Sequence, residues 1–65
     1  MNTGVVVAFD REVGLGEVRA ADGTTYPFHC IEIADGTRDI PVGVTVSFAF
    51  VGKLGRYEAA GLRPV

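Results

Sequence analysis

The clearest pattern in the chain lies between Val44 and Val51. Val44, Val46, Phe48 and Phe50 alternate with Thr45, Ser47 and Ala49. Successive side chains of an extended chain point to opposite faces, so this period of two predicts a half-buried strand. Residues 4–10, 16–20, 24–30 and 56–63 are also rich in Val, Phe, Tyr and Thr, and each predicts a further strand. Turn signals separate them: Gly14-x-Gly16, Asp22-Gly23, Asp35-Gly36, Pro41-x-Gly43, Gly52 and Gly55. Asp22-Gly23 is a strong tight-hairpin signal. Residues 31–40 read as a long connection holding one short 3₁₀ turn. No window repeats apolar residues every three to four positions, so no long helix is expected.

Five short strands in 65 residues fit a single domain, 1–65, folded as an all-β, five-stranded antiparallel barrel of the OB type. An SH3-like barrel remains open on the pattern alone. Closure of the sheet removes edges that would otherwise pair with other chains. A chain this short buries only about 60% of the surface its unfolded form exposes, so its core must be efficient. Hydrophobic residues make up 48% and charged residues 22%, which excludes a disordered chain.

Charge narrows the function. The formal net charge is −2, from six Lys and Arg against eight Asp and Glu. A dedicated nucleic-acid binder carries excess cations, because phosphate neutralisation supplies most non-specific affinity. The single cysteine, Cys30, forms no internal disulfide, which fits a reducing compartment. No basic, apolar leader is visible at the N-terminus, and the longest apolar run, residues 5–9, is too short to span a bilayer. A cytoplasmic chain with no membrane partner is expected.

Order and spacing bring in a family. Gly4-Val5-Val6, Phe9, Gly14-Leu15-Gly16-Glu17-Val18, Asp22-Gly23, His29, Ile33, Gly43, Val46-Ser47-Phe48 and the loop Gly52 to Gly55 follow one another as in the bacterial cold-shock domain family, which the chain resembles over nearly its whole length. The resemblance implies a five-stranded OB barrel that binds single-stranded RNA or DNA. It also implies aromatic rings at positions 8, 9, 15, 17, 27, 29 and 30, of which only Phe9 and His29 keep one. The family's basic residue before the first motif glycine is Val13 here, and the basic position in strand one is Val7. Stacking a base on an aromatic ring contributes roughly 1–3 kcal/mol. Losing most of those platforms, with Glu17 adding negative charge, implies weak, salt-sensitive binding at most.

The candidate nucleic-acid contacts are Phe9, Leu15, His29, Lys53 and Arg56. Phe9 is either a stacking ring or a core residue. His29 is either a base contact or a plain surface histidine. Arg38, Lys53, Arg56 and Arg63 form either a rim patch or solvated charges beside Asp35, Asp39 and Glu58. Phe28, Phe48, Phe50 and Tyr26 are expected in the core, whereas Tyr57 is ambiguous, a cover for the barrel end being one reading. Val7, Ala8, Val13, Leu15 and Pro27 suggest an apolar patch, hence the alternative of a protein-interaction or self-association module. One His beside one Cys supplies neither a catalytic pair nor a zinc site, so no enzyme activity, cofactor or metal is expected.

Overall fold

The computed structural model describes residues 2–65. Five strands form one antiparallel sheet: β1 (Asn2–Asp10), β2 (Leu15–Ala20), β3 (Thr25–His29), β4 (Thr45–Lys53) and β5 (Arg56–Pro64). A 3₁₀ turn, Cys30–Glu32, follows β3 directly, so Cys30 belongs to that turn and not to the strand. The hydrogen-bonded order is β3-β2-β1-β4-β5. The sheet curls until its outer members, β3 and β5, lie against each other. This is a small OB-like barrel, as the strand pattern predicts.

The β3–β5 seam runs parallel. His29 reaches Glu58 across it, Glu32 meets Gly61, and Ile33 bridges Leu62 in parallel, all at one sequence offset. The Glu32 Oε1 carboxylate accepts the Gly61 backbone N–H at 3.1 Å, and the Ala34 N–H donates to the Leu62 carbonyl at 2.8 Å. The 3₁₀ turn thus fastens β5 to the end of β3.

Two bulges bend the sheet into a closed shape. In β1, Val6 pairs with Val18 and Ala8 with Glu17, leaving Val7 unpaired. In β5, Gly61 and Leu62 oppose Phe48 alone, between the pairs Ser47–Arg63 and Ala49–Ala60. Gly61 has φ +61°, a left-handed conformation that glycine adopts without strain. Both bulges add local twist, which a short sheet needs to close.

The β1 bulge also changes which side chains face inward. An unbroken strand with Val6 inward would turn Phe9 outward. The extra residue restores Phe9 to the inner side, opposite Gly16. There its ring stacks on Phe28, with centroids 5.9 Å apart and planes 3° from parallel. Gly16 makes the stack possible: a Cβ at that position would lie 2.5 Å from Phe28 Cζ.

The core holds Val6, Val18, Phe28, Ile33, Ile40, Val46, Phe48, Ala59 and Leu62, all buried. Phe28 and Phe48 are where the alternation predicts them. Tyr26 packs partly buried against them. Phe50 differs: it is 41% exposed. It keeps the inward parity of Val46 and Phe48, but every residue of β4 from Ala49 to Lys53 is exposed. The hairpin outruns the barrel, and besides Phe48 the rings that meet Phe50 are Tyr26, at 4.7 Å, and Tyr57, at 5.9 Å. Among the described residues, no helix is long and apolar enough to cross a membrane.

Candidate functional site

Cross-strand register places the candidate side chains. Asp10 pairs with Leu15, and Leu15 with His29. Ala8 pairs with Glu17, and Glu17 with Pro27. Paired residues share a face, so these two rows lie on the outer surface of β1, β2 and β3. Across the seam, β5 adds Glu58 and Arg56, and β4 adds Lys53 opposite Arg56.

Three shallow hollows run together over this surface. The first lies between Ala8, Phe9, Leu15, Glu17 and Pro27. The second lies over the seam between Leu15, Pro27, His29, Arg56 and Glu58. The third lies at the hairpin end between Lys53, Leu54, Arg56 and Tyr57. Leu15 and Pro27 join the first two, and Arg56 joins the last two. The result is one track from β1 to the β4–β5 hairpin, and all five candidate contacts border it. Phe9 does so from below, since its ring belongs to the Phe28 stack.

Electrostatics along the track are divided. Glu58 is only 14% exposed at its side chain, and its Oε1 lies 3.6 Å from Lys53 Nζ and 3.9 Å from His29 Nε2. The histidine contact is too long for a hydrogen bond and becomes an ion pair only when the imidazole is protonated. Glu58 therefore neutralises the cation that sequence spacing puts on the rim. Among the described residues, no carboxylate pairs with Arg56. Of the two alternatives for the four cations, a rim patch is not assembled: Arg63 pairs with Ser47, roughly 20 Å along β5 from Arg56. Arg38 is exposed in the 34–44 loop, with φ 58°. Its neighbour Asp39 pairs instead with Arg11 of the first turn, at 3.4 Å.

The apolar patch is likewise split. Ala8, Leu15 and Pro27 line the first hollow, whereas Val7 lies in a separate one with Val5, Arg19 and Thr45. Val13 projects from the first turn, exposed. That turn is set by Asp10, whose Oδ1 accepts the N–H groups of Glu12 at 3.0 Å and Val13 at 3.2 Å. Asp10 therefore shapes a loop, and its charge is partly spent on backbone. Asp35 does the same for the long loop: its Oδ1 accepts the Thr37 N–H and hydroxyl, at 2.9 and 2.8 Å. Those bonds hold its carboxyl below the ordinary value of 3.8.

Sequence reasoning passed over two residues here. Glu58 figured only as a neighbour of cations, yet it sits at the centre of the seam. Tyr57, ambiguous on the pattern alone, stands 62% exposed at the hairpin end. The signal for Glu58 is the parity of β5, which puts Arg56 and Glu58 on one face. Among the described residues, no three His, Cys, Asp or Glu side chains converge as metal ligands would.

The fold and the track together define the class: a small OB-like β-barrel with a shallow, mixed-charge groove over β2, β3 and the β4–β5 hairpin. No model of a known protein family matches the chain, and no curated protein matches it significantly.

Proposed function

We propose that this chain is a non-enzymatic module of the bacterial cold-shock type that binds single-stranded RNA or DNA weakly, along the track from Leu15 to the β4–β5 hairpin. The observation that carries this is the convergence of Leu15, His29, Lys53 and Arg56 on one groove. OB-type barrels bind oligonucleotides on the face of their second and third strands and the adjoining first and last hairpin loops. His29 offers a ring and a hydrogen-bonding edge, Arg56 a phosphate partner, and Leu15 with Pro27 an apolar seat. The arrangement also supports weakness: Glu58 engages Lys53, Glu17 stands on the same face, and Phe9 is committed to Phe28. A dissociation constant on the order of 10⁻⁴ M near physiological salt follows for such a surface. The lone cysteine fits a cytoplasmic setting.

The test is an amide-shift titration with oligothymidine at low salt, followed by added salt. Salt-reversible shifts at Leu15, His29, Lys53 and Arg56 are expected. Silence at millimolar oligonucleotide would overturn the proposal.

A second function has its own observation. Ala8, Phe9, Leu15 and Pro27 line a mostly apolar hollow with Glu17 at its edge. That suits a protein contact or self-association. A sedimentation coefficient that rises with protein concentration, without oligonucleotide, would favour it.

A further inference from the structure

We infer that Glu58 is a shared counterion that makes strand binding along the track pH-dependent: it holds Lys53 while His29 is neutral and lets Lys53 go once His29 takes a proton. The nucleic-acid reading above is the premise for the binding half of this inference.

One carboxylate oxygen serves two bases. Glu58 Oε1 lies 3.6 Å from Lys53 Nζ on its own hairpin and 3.9 Å from His29 Nε2 across the seam. Strand parity agrees with these distances. Lys53 pairs with Arg56, and Glu58 stands two residues further on, so all three share the outer face of the hairpin. His29 pairs with Leu15 on the outer face of β3. The Glu58 side chain is largely covered, whereas those of Lys53 and His29 are half-exposed. The carboxylate is therefore the fixed member, and its two partners are the ones with room to move.

The two distances differ too little to favour either cation strongly. With His29 neutral, Lys53 alone balances Glu58, and the trio has no net charge. With His29 protonated, one carboxylate faces two cations. One of them then lacks a counterion, and Lys53, a compact charge on a flexible four-carbon stem, is the one able to reach a phosphate. The chain has one histidine, and imidazole is the side chain whose ordinary charge change falls between pH 5 and 8.

Other charged groups surround the trio without joining it. β5 brings Arg56 to the hollow around His29. β2 puts Glu17 opposite Pro27, one row from His29. β1 puts Asp10 opposite Leu15, with its Oδ1 on the turn N–H groups. In the 3₁₀ turn, Glu32 is engaged with Gly61, and Cys30 is partly buried. Among the described residues, none of these forms an ion pair with His29, Lys53 or Glu58.

Oligothymidine suits the test, because thymine does not titrate in this range. At about 50 mM salt the parent should bind roughly 5- to 10-fold more tightly at about pH 5.5 than at about pH 7.5, and the slope of log K against log salt should steepen by about 0.7, one added phosphate contact. His29→Asn should lose that gain. Lys53→Met should lose it too, because the released cation is gone, and Glu58→Gln should already bind more tightly than the parent at the higher pH. Both Lys53 and His29 are half-exposed, so their variants are expected to keep a cooperative melt. A gain that persists in Lys53→Met would mean that His29 meets the phosphate directly, and would overturn the shared counterion. The exchange is also read without oligonucleotide: the Lys53 ε-methylene resonances should move as the pH crosses this range in the parent, and much less in Glu58→Gln. Lys53 resonances that stay still in a parent that binds would overturn the inference and leave the track standing. Absence of binding at either pH, with Lys53 moving, would overturn the nucleic-acid reading and with it the pH-dependent binding, while the exchange of partners at Glu58 stands.

Discussion

Leu54 pairs the wrong residue with its backbone. It begins the two-residue β4–β5 turn at φ 47°, followed by Gly55 at 84°, and its side chain is fully solvated at 106%. Positive φ at both central positions is the type I′ pattern, which favours Asn-Gly. A left-handed leucine costs roughly 1–2 kcal/mol, and no burial offsets it. Leu54→Asn should therefore stabilise the protein by about 1 kcal/mol, raising the melting temperature by about 4–8 °C in thermal denaturation. A second prediction at this scale concerns Asp35. Its bonds to Thr37 favour the ionised form, so its folded pKa lies below 3.8. The sign follows: what those bonds stabilise is present above the unfolded pKa and is lost as pH falls through the folded one. An NMR titration should place the Asp35 midpoint below that of the Thr37→Val variant.

At the scale of elements, the barrel is closed by a parallel seam and not by a further antiparallel ladder. Glu32 is its clasp, because its carboxylate takes the one N–H that the Gly61 bulge turns toward the 3₁₀ turn. Hydrogen bonds to charged groups contribute about 1.5–3 kcal/mol, and this one is half-buried. Glu32→Ala should cost about 1–2 kcal/mol in denaturant unfolding, with hydrogen-exchange protection falling first at Ala34 and along β5. The bulges are also where sequence reading loses its footing. Val5, Val6, Val7 and Ala8 are all apolar, so no polar residue marks which of them faces inward. A parity change inside such a run leaves no trace in the pattern, and Phe9 passes from the outer face to the core stack unannounced.

The whole molecule shows how a surface charge is distributed rather than how much there is. The net charge is −2, yet the face over β2, β3 and the β4–β5 hairpin mixes Glu17 and Glu58 with His29, Lys53 and Arg56. Glu17 is exposed and neutralised by nothing nearby among the described ion pairs. Glu17→Lys brings the net charge to zero and places a cation midway along the track. If a single strand lies there, oligothymidine should bind more tightly, and the slope of log K against log salt should steepen by about 0.7, one added phosphate contact. Thr25→Lys, beyond the track, should change the slope less.

By itself, the order of apolar and polar residues determined a good deal. It set the number and approximate limits of the strands, the Asp22-Gly23 turn, and the burial of Phe28 and Phe48, because alternation and turn chemistry are local. Only the folded chain decided that Phe50 stands half in solvent, that Phe9 lies beneath the groove, and that Glu58 engages Lys53 across from His29. Those outcomes depend on bulges, on the length by which a hairpin outruns its barrel, and on a seam between strands far apart in sequence. None of these is a property of neighbouring residues.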